Sequence, residues 1–68
     1  MERTKLYAEV VRDAKRLVET FEHHYPEAGL EFLFSGNMLL VFRGHELVFT
    51  WYPYEGLCTL VEFLKANK

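Results

Sequence analysis

Residues 30–52 hold the pattern that most narrows the fold. Three runs, Leu30–Phe34, Met38–Phe42 and Glu46–Tyr52, are dominated by Phe, Leu and Val. Two short glycine-containing breaks divide them, Ser35-Gly36-Asn37 and Arg43-Gly44-His45. A glycine in a two-residue loop supplies the positive φ of a type I′ or II′ hairpin turn. Two such loops in series predict a three-stranded antiparallel meander. Pro53 has no N–H to give to a ladder, so it ends the third strand.

The flanks read as helices. Leu6, Tyr7, Val10, Val11, Ala14, Leu17, Val18, Phe21 and Tyr25 recur at three- and four-residue steps, the spacing of one helical face. Pro26 restricts Tyr25 and stops the helix, giving a span of about Thr4 to Tyr25. Pro26-Glu27-Ala28-Gly29 then turns the chain into the first strand. Pro53-Tyr54-Glu55-Gly56 forms the loop before a last helix over 59–68, which has room to begin near Gly56. Thr59 and Glu62 fit a capping box, and Lys65 and Lys68 suit the C-terminal dipole. The expected fold is α+β, an αβββα arrangement in a single domain over 1–68. A chain of 68 residues and 8.1 kDa leaves room for one thin core and no second domain. It begins at Met1 and its patterns run almost to Lys68, so it reads as a whole small protein.

Register turns the meander into a functional expectation. With both loops two residues long, Phe34 lies opposite Leu39, Phe32 opposite Val41, Arg43 opposite Glu46, and Val41 opposite Val48. One face then collects Leu30, Phe32, Phe34, Leu39, Val41, Val48, Thr50 and Tyr52. The other collects Leu33, Met38, Leu40, Phe42, Leu47, Phe49 and Trp51. A meander with one face in water alternates apolar and polar residues; here both faces are apolar. The long helix covers one, and the C-terminal helix is too short for the whole of the other. The expectation is a sheet face used for self-association or for a protein partner. Its candidate residues are Phe32, Phe34, Leu39, Val41, Val48, Tyr52 and Tyr54. The competing arrangement puts one helix on each face, in a three-layer monomer. Trp51 is expected in the core and Tyr54 at the surface, with Tyr52 and Tyr54 as large, rigid contact residues.

Catalytic chemistry finds little support. His23 and His24 are adjacent, so on a helix they point about 100° apart and do not make a two-ligand metal face. Glu19 and His23 are one turn apart, which leaves at best a partial ligand set; no metal or other cofactor is expected. Cys58, the single cysteine, lies beside Thr59 near a helix start, where thiols become reactive. Its apolar neighbours Leu57 and Leu60 favour a small buried residue instead. No nucleophile elbow, phosphate loop or paired metal motif is present. The chain is read as non-enzymatic, with no catalytic residues, and as an adaptor, subunit or inhibitor, a homodimer or the binder of another protein.

Charge sharpens the choice of partner. The formal net charge is −2, and the basic residues collect at the two ends. No Lys or Arg occurs from Leu17 to Phe42, where Glu19, Glu22, Glu27 and Glu31 lie. That balance disfavours phosphate backbones. The α-β-β-β-α order is shared with double-stranded RNA-binding domains, but residues 56–62 carry no cation to meet phosphates at the start of the last helix. A second class stays open, a nucleic-acid-associated protein that binds nucleic acid directly or, through its acidic middle, blocks a nucleic-acid-handling complex. One cysteine, no apolar run long enough to span a membrane and no signal-peptide pattern point to the cytoplasm.

Overall fold

The computed structural model describes residues 2–68, with side chains described from Tyr7 onward. The side chains of Arg3, Lys5 and Leu6, which the sequence pattern included, lie outside the described residues. Helix α1 spans Glu2–His24. A single 3-10 turn over Pro26–Ala28 follows it. Strands β1 (Leu30–Ser35), β2 (Met38–Arg43) and β3 (Glu46–Trp51) form one antiparallel sheet in the order β1-β2-β3. A second 3-10 turn, Pro53–Glu55, leads into α2, Leu57–Ala66. The architecture is the expected α+β meander between two helices.

Both hairpin loops hold two residues. Gly36 and Gly44 adopt φ of 63° and 66°, and no other residue type in either loop has positive φ. Positive φ at the first central position alone is the type II′ pattern. The first hairpin keeps the expected register, Phe34 opposite Leu39 and Phe32 opposite Val41. The second begins as expected with Arg43 opposite Glu46, then departs. Phe42 pairs with Leu47, but Val41 pairs with Phe49, so Val48 is an extra residue in a β-bulge. One inserted residue reverses the facing of everything after it. Phe49 and Trp51 therefore turn to the face of Leu39 and Val41, while Thr50 and Tyr52 turn away from it.

Both helices pack on that one face, which makes a two-layer molecule. Ala14, Val18 and Phe21 of α1 meet Leu39, Val41 and Trp51 of the sheet and Leu60 and Leu64 of α2 in a single core cluster. Phe21 meets Phe32 edge-on at 6.0 Å, placing α1 over β1. Phe63 stacks on Phe49 at 4.2 Å and 6°, placing α2 over β3. Parallel rings at that spacing pack closely without voids. The accessible surface is 4945 Å², against roughly 4,500 Å² expected for this mass. The excess follows from the shape, 40 × 22 × 16 Å, drawn out along α1.

The end of the sheet is tied to the start of α2. Trp51 is fully buried, and its indole Nε1–H donates to the carbonyl of Gly56 at 2.8 Å. Gly56 has φ 74° and ψ −176°, a region open essentially to glycine. No atom lies within 4 Å of where a Cβ would stand. Gly56→Ala should therefore cost about 1–3 kcal/mol through backbone strain alone, read as a lower urea midpoint with an unchanged slope. Thr59 is not the helix cap that its spacing predicts. Helix α2 starts two residues earlier, so Thr59 lies within its first turn and its hydroxyl donates to Glu55 Oε1 at 3.2 Å. Asn67 closes the other end; its side-chain amide donates to the Phe63 carbonyl at 2.8 Å and accepts from Arg43 Nη2 at 2.9 Å.

Candidate interaction surface

Strand periodicity and the bulge together decide which residues form the uncovered face. Opposed residues of adjacent strands share a face. Leu33, Leu40 and Thr50 make one row across the sheet, and Glu31, Phe42 and Leu47 make the next. Ser35 and Met38 make a third beside the first hairpin loop. Among the described residues, both helices pack on the other face, away from these rows. Leu33 is 54% exposed and Leu47 50%. Leu40, Phe42 and Met38, on the central strand, are half-buried by their own neighbours. Glu31 is the one ionised side chain in the three rows, and it sits on the edge strand. Tyr52 and Tyr54 stack on each other at 5.4 Å and 14° beyond the end of β3 and extend the surface.

The expected contact residues divide between the two sides. Leu39 and Val41 are fully buried in the core. Phe32 and Phe34 are half-buried beneath α1, Phe32 against Phe21 and Phe34 under the Lys15 ammonium at 5.5 Å. These four cannot meet a partner on the uncovered face, because the helices occupy theirs. Val48, at the bulge, is 39% exposed, Tyr52 36% and Tyr54 69%. The uncovered face carries instead Leu33, Met38, Leu40, Phe42 and Leu47, which the sequence also places together there.

The residues with chemical potential are scattered. Cys58 is exposed on the first turn of α2, not buried among its apolar neighbours. His23 and His24 are exposed in the last turn of α1, their rings edge to face at 5.3 Å. Among the described residues, no group of three or more His, Cys, Asp or Glu is placed to hold a metal ion. Also among them, no helix is long and apolar enough to cross a membrane. Set against family models, curated proteins and solved structures, the chain matches none of them.

Proposed function

We propose that this is a non-enzymatic protein–protein interaction domain that self-associates through the outer face of its sheet. The observation that carries this reading is the row structure of that face, where exposed Leu33 and Leu47 flank half-buried Leu40 and Phe42 with one carboxylate among them. Patches of this kind on small chains mark interaction sites. A second copy is the occupant the chemistry favours. Charge patterns are what select one foreign partner over another, and this face carries almost none. A flat apolar face is complementary to itself under a twofold axis, which repeats every contact. Two such sheets stack about 10 Å apart with their side chains interleaved.

Size sets the expected strength. Six-residue strands span roughly 20 Å, and three strands about 10 Å between the outer axes. Such a footprint is well below the standard of about 800 Å² per partner, so the dimer should be weak, with a Kd no tighter than about micromolar. Sedimentation equilibrium over a concentration series from low to high micromolar tests it. The expected result is a mass rising from one protomer to two. A single-protomer mass across the series would overturn it.

A further inference from the structure

A second apolar surface lies away from the sheet, between the two helices. Their facing flanks leave an open crevice of about 330 Å³. Leu17 and Phe21 of α1 and Val61 and Leu64 of α2 form its apolar floor. Arg16, Lys65 and Lys68 stand around it, and no aspartate or glutamate side chain lines it. The chain as a whole is formally −2, so this cationic rim is a local arrangement.

Helical spacing explains the rim. Arg16, Thr20 and His24 recur every four residues along α1, next to the stripe of Leu17, Phe21 and Tyr25. Lys65 lies one turn beyond Val61, and Lys68 follows the end of α2. The Lys68 ammonium sits 6.0 Å from the Tyr25 ring centroid, within cation–π reach. Glu22 lies on the other flank of α1, in the groove lined by Leu30 and Phe32. Lys65 and Lys68 also complement the C-terminal dipole of α2. Arg16, an exposed residue in the middle of α1, borders the other end of the crevice.

An apolar trench bordered by cations is complementary to a molecule with an apolar chain and an anionic head. The volume falls at the low end of ligand sites, enough for one short chain and not for a two-chain lipid. We propose that the crevice between α1 and α2 binds a free medium-chain fatty acid, its chain on Leu17, Phe21, Val61 and Leu64 and its carboxylate with Lys65 and Lys68 at the end beside Tyr25. This site lies apart from the outer face of the sheet, so it stands or falls independently of self-association.

Titration of isotope-labelled protein with decanoate, followed by amide chemical shifts below the micelle concentration, tests the proposal. Saturable changes centred on Leu17, Phe21, Val61 and Leu64 are expected. Decyltrimethylammonium, with the same chain and the opposite charge, should bind at least about tenfold more weakly. The double variant Lys65→Glu, Lys68→Glu alters two exposed side chains and should keep a dispersed spectrum while losing about tenfold in affinity. The proposal is overturned by equal binding of the two amphiphiles or by wild-type affinity in the folded double variant. Absence of saturation, changes centred on Leu33, Leu40 and Leu47, or binding only to anionic vesicles without crevice shifts would overturn it too.

Discussion

Glutamate at position 33 or 47 should leave the chain folded and strip it of self-association. Leu33 and Leu47 are each half exposed and stand on the uncovered face, outside the core cluster. Surface changes away from core, caps and strained backbone usually stay within about 0.5 kcal/mol, so the monomer should hardly notice. The dimer should notice twice, because a twofold interface repeats each substitution. An ionised carboxylate buried against Leu and Phe without a partner costs several kcal/mol. Two of them exceed about 4 kcal/mol, which is roughly a thousandfold in Kd. A micromolar dimer would then be monomeric at any practical concentration. Arg12→Glu, an exposed change on α1, should leave association as it was. Sedimentation of the three variants beside the parent reads the result directly. A parent-like dimer in Leu33→Glu and Leu47→Glu would place the interface elsewhere.

The uncovered face was partly legible in the sequence. The glycines at 36 and 44 set loop length, and loop length sets register at each turn, so β1 and β2 pair as their residues indicate. The presence of apolar residues on both faces was equally plain. What the pattern could not reveal was the bulge at Val48. Val48, Phe49 and their neighbours are all compatible with a strand interior, and no glycine or proline marks the insertion. The consequence is large, since it moves Trp51 and Phe49 to the face under the helices and Tyr52 to the other face. A second signal was available in β1, where Glu31 and Ser35 flank Leu33 while Leu30, Phe32 and Phe34 alternate with them. The alternation names the 30, 32, 34 side as the core and the 31, 33, 35 side as the solvent side. Read that way, Phe32, Phe34, Leu39 and Val41 belong under the helices. The placement of both helices on one face has the same origin. Phe49 and Trp51 give the β3 half of the inner face enough apolar area to need α2 as well as α1. Cys58 escaped the reading because α2 begins at Leu57, which turns the Cys58 side chain outward while Leu60 and Leu64 turn in.

Trp51 should prove the most sensitive position in the molecule. It is fully buried, the largest of the fully buried side chains, and it joins the sheet to the start of α2 by a hydrogen bond as well as by packing. Replacing a buried Trp by Ala typically costs about 3–5 kcal/mol. A chain below about 70–80 residues with a single core rarely has more than about 3–5 kcal/mol in total. Trp51→Ala should therefore be largely unfolded at room temperature, seen as lost amide dispersion and a collapsed far-ultraviolet helix signal. Trp51→Phe separates the two contributions. It keeps an aromatic ring in the site but removes the donor, leaving the Gly56 carbonyl without its partner. An unmet polar group of that kind costs about 1–3 kcal/mol, so this variant should fold with a clearly lower urea midpoint. A Trp51→Ala protein as stable as the parent would mean that Trp51 does not close the core and that β3 runs without the bulge. The outer face would then gain Phe49 and Trp51, while Leu33 and Leu47 keep that face in either register, so Leu33→Glu and Leu47→Glu test association in both cases.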